Sequence, residues 1–197
     1  MKSLKQLLAI AALCGVLPAA TAAVIDVNGV KYEDTATIRG TPVVLNGAGT
    51  RYKAIFKVYT AGLYLGKKAD TPEAVIAATG PKRMAIQMLR DIDTKELGKL
   101  FTRGVEDNTS RSELPKLIPG LIRMGQIFAD HKKLVPGDTF SIEYFPNVGT
   151  VITIKGVVQG EPFKEPEFFN AMLSIWLGKN PADANLKEAL LGKPTNF

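Results

Sequence analysis

The alternation of apolar and polar residues marks the first third of the chain as strands. Val24 to Ile38 holds two alternating runs on either side of Asn28-Gly29, a strong short signal for a hairpin. Gly40-Thr41-Pro42 interrupts, and Val43 leads into a long segment, Leu45 to Leu65, reading LNGAGTRYKAIFKVYTAGLYL. Its opening, Asn46-Gly47-Ala48-Gly49, predicts a glycine-paced turn. The remainder is rich in Tyr, Phe, Val and Ile and predicts an extended strand. Taken at every second residue, Tyr52, Ala54, Phe56, Val58, Thr60, Gly62 and Tyr64 share one face. Arg51, Lys53, Ile55, Lys57, Tyr59, Ala61, Leu63 and Leu65 share the other. The polar-to-apolar balance changes near Tyr59, which predicts a bulge or a sharp bend.

Beyond Leu65 the period changes. Thr71 with Pro72 predicts a short helix ending before Gly80, and Lys82 to Leu89 returns as a strand. Asp93 with Glu96 forms a capping box for a helix from Thr94 to about Asn108, with Leu97, Leu100, Phe101 and Val105 in one stripe. Ser110 with Glu113 opens a second helical segment that keeps its period to Ala129. Pro119-Gly120 is expected to bend or break it. Thr139 to Phe145 and Thr150 to Val158 read as a hairpin around Pro146 to Gly149. Helices follow over Glu165 to Leu177 and from Pro181 to Leu191, closed by Gly178 and Gly192. With no regular β-α alternation, the fold class is α+β: an antiparallel sheet with helices gathered on one face.

The first residues carry a different message. Lys2 and Lys5, the apolar run from Leu7 to Leu17, Pro18 and Ala20-Thr21-Ala22 form a secretory signal peptide. The run is too short to cross a bilayer, which takes about 20 residues. Residues 1–22 are therefore expected to be removed, leaving 23–197 as one domain in the periplasm. Cleavage takes two of the 25 basic residues, so 23 bases face 19 acids, a net charge of +4. The charges are scattered and supply no nucleic-acid arm. Cys14, the only cysteine, leaves with the signal, so no disulfide is expected.

Few residues carry chemistry. His131, the only histidine, sits beside Lys132 and Lys133 and reads as a basic helix end. A zinc site needs more His or Cys ligands than the chain offers, and nucleophilic triads of Ser or Cys with His lack partners. Asp91 and Asp93 could pose as a carboxylate pair, but Asp93 is accounted for as a helix cap and structural use is the favoured reading. The cluster Phe168, Phe169, Met172, Ile175 and Trp176 reads as core against the sheet, with the lining of a ligand pocket as the alternative. No cofactor is implied. What remains is Arg51, just past the glycines, as a solvated strand-end residue or an anchor for an anion.

The segments Gly47-Ala48-Gly49-Thr50-Arg51 and Thr60-Ala61-Gly62-Leu63-Tyr64-Leu65 resemble the chalcone isomerase family, in particular its bacterial exported branch. Ile175-Trp176-Leu177-Gly178-Lys179-Asn180, with the following proline and closing helix, echoes the family's C-terminal pattern. The resemblance implies an open-faced β-sandwich: a large antiparallel sheet, a helical layer and a ligand cleft between them. In the plant enzymes, which close a chalcone to a flavanone, the matching arginine and threonine belong to the active-site cleft. By resemblance those positions are Arg51 and Thr60. Relatives of the same fold bind fatty acids, the arginine meeting the carboxylate.

The chain departs from the enzymes where they carry a tyrosine at the start of the first long helix. Here that face holds Leu97, Leu100 and Phe101, and the interval from Arg51 to Thr60 is shorter. Losing one carbonyl-polarising donor costs an enzyme about 10²-fold or more, whereas an arginine beside an apolar cleft keeps its value for a carboxylate. The expectation is a non-catalytic binder of a small amphipathic anion, a fatty acid or a phenolic compound. Arg51, Tyr59, Thr60, Leu97 and Phe101 are the expected ligand-binding residues. The alternatives are an isomerase-type intramolecular lyase using Arg51 and Thr60, and an envelope protein that binds a protein partner.

Overall fold

The computed structural model describes residues 23–195; the predicted signal peptide and Cys14 lie outside them. The chain begins with β1 (Val24–Val27) and β2 (Val30–Glu33). Asn28 and Gly29 join them with φ of 53° and 82°, the two-residue turn whose twist matches paired strands. β3 (Thr35–Ile38) leads to β4 (Thr41–Lys53) and β5 (Phe56–Leu65). The long extended segment thus folds back on itself at Ala54-Ile55, with Ala54 at φ 53°.

Two extra residues interrupt the β4–β5 pairing. Asn46 stands between the Leu45–Tyr64 and Gly47–Leu63 pairs, and Val58 between the Tyr52–Lys57 and Arg51–Tyr59 pairs. Both a bend and bulges are therefore present. The turn expected at Asn46 to Gly49 is absent: these residues lie within β4. Their glycines serve close approach instead. A Cβ on Gly47 would stand 2.0 Å from the Ala189 carbonyl oxygen, and one on Gly49 2.6 Å from Ala189 Cβ.

The chain continues through α1 (Pro72–Ala77), β6 (Lys82–Met88), β7 (Ile92–Asp93), α2 (Thr94–Glu106) and α3 (Leu114–Ala129). The Asp93 side chain accepts the Glu96 backbone N–H at 3.0 Å, as its capping box predicts. Of the bend or break expected at Pro119-Gly120, the break is absent: α3 runs through Pro119 as one helix. An interior proline costs a helix about 3 kcal/mol, but α3 buries Leu117, Leu121, Met124 and Phe128, each contributing about 1.5–3 kcal/mol. Burial outweighs the lost bond.

β8 (Lys133–Leu134), β9 (Thr139–Phe145), β10 (Gly149–Ile154) and β11 (Val157–Val158) follow. The strand expected over Thr150 to Val158 is split, because Lys155 and Gly156 turn at φ 51° and 78°. α4 (Pro166–Leu177) and α5 (Ala184–Leu190) close the fold. α5 starts later than Pro181, since Asp183 caps it by accepting the Leu186 N–H at 3.0 Å.

Seven strands form one sheet in the order β11-β10-β9-β6-β5-β4-β3, every pair antiparallel. One face packs against α2 to α5 through a core that includes Tyr59, Leu63, Met84, Phe101, Phe128, Phe140 and Trp176. The other face carries a smaller core of Val30, Tyr32, Ile38, Leu45 and Tyr64, where the β1–β2 hairpin covers part of the sheet. This is the α+β arrangement expected, a large antiparallel sheet with helices layered on one face. No helix among the described residues is long and apolar enough to cross a membrane.

Candidate functional site

The bulge at Val58 decides what faces what. By adding one residue to β5 it sets Tyr59, rather than Val58, opposite Arg51. Both side chains therefore project toward the helices. The Arg51 guanidinium carbon lies 5.7 Å from the centre of the Tyr59 ring, a cation–π distance. Across from them, α2 presents Leu97, Leu100, Phe101 and Gly104, one helical face at three- and four-residue spacing. Ile175 of α4 and the Pro181-Ala182 segment complete the wall. Together these residues enclose a cleft of about 180 Å³ between sheet and helices.

The lining is mostly apolar, with Arg51, Arg103, Asp107 and Asn180 as its charged and amide side chains. Arg51 is half-buried and Arg103 exposed. Among the described residues neither guanidinium forms an ion pair or a side-chain hydrogen bond. Tyr59 is buried, and its hydroxyl accepts the Trp176 indole N–H at 2.8 Å. The hydroxyl's own proton has no acceptor among the described residues, so a donor remains for a ligand oxygen. Burial pushes the Tyr59 phenol up to about 12. The Arg51 charge and the Trp176 hydrogen bond oppose that shift, and the Asp183 carboxylate reinforces it. At neutral pH Tyr59 is a neutral donor beside a fixed cation.

Of the residues expected to bind ligand, Arg51, Tyr59, Leu97 and Phe101 come together here. Thr60 does not join them. It faces the opposite side of the sheet, fully buried, where its Oγ1 accepts the Tyr32 hydroxyl at 2.9 Å. The rest of that motif serves the same contact. A Cβ on Gly62 would come within 2.6 Å of the Tyr32 ring, and the Tyr64 hydroxyl donates to the Glu33 carbonyl at 3.1 Å. Thr60, Gly62 and Tyr64 thus form the seat of the β1–β2 hairpin. Arg103, Asp107 and Asn180 also line the cleft without having been anticipated. Leu97, Leu100, Phe101, Gly104 and Asp107 continue one helical stripe, so extending its period one turn would have found Asp107.

His131 and Asp91, the other residues weighed for chemistry, have local partners. His131 Nε2 lies 3.3 Å from Gln159 Oε1, and Asp91 pairs with Lys133 at 2.9 Å. Among the described residues, no cluster of three His, Cys, Asp or Glu side chains is placed to hold a metal.

Burial also pushes the Tyr32 phenol up to about 12, against the lowering effect of its bond to Thr60. For both tyrosines the unfolded chain releases its proton first, near pH ~10. Stability is therefore expected to hold up to about pH 10 and to fall as pH rises toward about 12. Urea unfolding at a series of alkaline pH values measures this, with Tyr32→Phe losing less over that interval than wild type.

A sheet backed by helices, with Arg51 and the buried Tyr59 lining a cleft between them, defines an α+β domain of the open-faced kind. The chain belongs to the chalcone isomerase-like family, whose family model matches residues 23–192. Its fold is similar to the crystal structure of an Arabidopsis thaliana fatty-acid binding protein. The TM-score is 0.69 at 17% identity, covering 86% of this chain and 96% of that one. Among curated proteins no sequence match is found.

Proposed function

We propose that this protein is an exported, non-catalytic binder of a small amphipathic anion, an acyl or phenolic acid, held in the cleft between sheet and helices. Arg51 holds the anionic head as a charge-assisted pair, Tyr59 donates to a second oxygen, and Leu97, Leu100, Phe101 and Ile175 surround the apolar part. The observation that carries this reading is the Arg51 guanidinium at the cleft, with no counter-charge bonded to it among the described residues. Similarity of fold to a fatty-acid binding protein supports it. Export rests on the leader pattern of residues 1–22.

An isomerase reading needs Arg51 and Thr60 on one substrate. They lie on opposite faces of the sheet, with Thr60 buried under Tyr32, which weighs against it. The test is native mass spectrometry of protein expressed with its leader and purified from the periplasm, followed by solvent extraction. The expected result is a co-purified carboxylic or phenolic acid on wild type and none on Arg51→Ala. Protein recovered only from the cytoplasm with its leader intact contradicts export. An empty protein that also ignores added acids contradicts the binding role.

A further inference from the structure

The dimensions of the cleft narrow the ligand class, granting that the cleft is an anion-binding site. At about 180 Å³ it falls below the roughly 300–1,000 Å³ of sites that enclose drug-sized molecules. The reason lies directly behind it. Phe101 packs against Phe128, Phe140 and Trp176 with ring centres 5.4, 5.6 and 5.7 Å away. Phe128 and Phe140 meet edge to face at 5.7 Å. All four rings are at most 2% exposed. Among the described residues, the space between sheet and helices next to Phe101 is thus occupied by closely packed rings.

Two features hold this wall in place. Trp176 cannot turn aside without surrendering its bond to the Tyr59 hydroxyl. On the α4 side, a Cβ on Gly104 would stand 3.1 Å from the Ile175 side chain, so α2 and α4 already touch there. Arg51 and Arg103 both line the cleft. An acid whose head they hold has only the remaining cleft volume for its tail.

We propose that the cleft selects compact carboxylates, a short acyl chain or a single aromatic ring, over long-chain fatty acids, and that Phe101 is the residue that sets the limit. A longer tail has to stay in water or displace packed rings, and either loses the gain from burial.

The test is calorimetric titration of wild type, Phe101→Ala and Leu100→Ala with butanoate, hexanoate, benzoate, laurate and palmitate, the long acids kept below micelle formation. Wild type is expected to bind hexanoate or benzoate more tightly than laurate or palmitate, by about 10-fold or more. Phe101→Ala is expected to shift that preference toward laurate by about 10-fold. If Phe101→Ala fails to fold by circular dichroism, half-buried Leu100 provides the same comparison at a milder cost. Wild type favouring laurate or palmitate, in an Arg51-dependent way, overturns the size limit while the anion site stands. An unchanged preference in a folded cleft-enlarging variant overturns the role of the wall. No binding of any of the acids removes the anion site itself, and the size limit with it.

Discussion

Arg51→Ala is expected to weaken binding of a compact acid by about 10- to 100-fold while leaving folding nearly untouched. A hydrogen bond to a charged group is worth about 1.5–3 kcal/mol, and each ~1.4 kcal/mol is a factor of ten in affinity. The effect on stability is small because Arg51 is half-exposed and its guanidinium stands 5.7 Å from the centre of the Tyr59 ring. Substitutions away from packed features usually stay within about 0.5 kcal/mol. Arg51→Lys keeps the charge but loses the planar two-pronged geometry, so it should fall between wild type and alanine. Titration calorimetry with hexanoate and benzoate, paired with urea unfolding, separates the two quantities. Equal affinity in wild type and Arg51→Ala would mean that the head group lies elsewhere. A large loss of stability would mean that Arg51 is structural.

The site was partly legible in the sequence, and the part that was not follows from what local patterns encode. The Asn28-Gly29 turn and the Thr71 and Asp93 caps depend on backbone chemistry within a few residues, and each appears where the letters put it. The Ala54-Ile55 turn carries no glycine, proline or asparagine. It is imposed by pairing along β4 and β5, which no local signal reports. The glycines at 47 and 49 do signal something local, an absent side chain, but the reason for the absence is a helix about 140 residues further on.

Thr60 is the instructive case. Strand alternation alone assigns it to the face opposite Arg51 and Tyr59, and the family resemblance assigns it to the same cleft. The register supports alternation, because Thr60 pairs with Thr50 and Arg51 with Tyr59. The Val58 bulge is what carries Tyr59 to the cleft side, opposite Arg51. A phenol ring does stand against the arginine, one residue earlier than the threonine.

Gly47→Ala is expected to destabilise the protein by about 3 kcal/mol and, unlike Arg51→Ala, to reduce binding as a consequence of lost structure. The added Cβ would stand 2.0 Å from the Ala189 carbonyl oxygen and 2.9 Å from the Gly192 nitrogen. Both are backbone atoms, so no rotamer change relieves the clash and α5 has to move. Moving α5 strains the bond from Asn46 Nδ2 to the Leu190 carbonyl at 2.7 Å. It also strains the bond from the Tyr52 N–H to Asp183 at 2.8 Å. Leu186 and Leu190, both buried, would partly return to water, at about 1.5–3 kcal/mol for each side chain fully exposed. Overpacking a core in place costs about 1–3 kcal/mol, so the two routes are close in energy and the cheaper one sets the result. Because Asp183 caps α5 next to the Pro181-Ala182 wall of the cleft, a displaced α5 should loosen that wall as well. The control is Gly125→Ala, where a Cβ meets nothing within 4 Å. There, inside α3, alanine should stabilise by up to about 1 kcal/mol. Urea unfolding of the two variants decides the matter. If Gly47→Ala proved as stable as wild type, close approach of α5 would not be the reason for that glycine, and its place in the strand would need another cause.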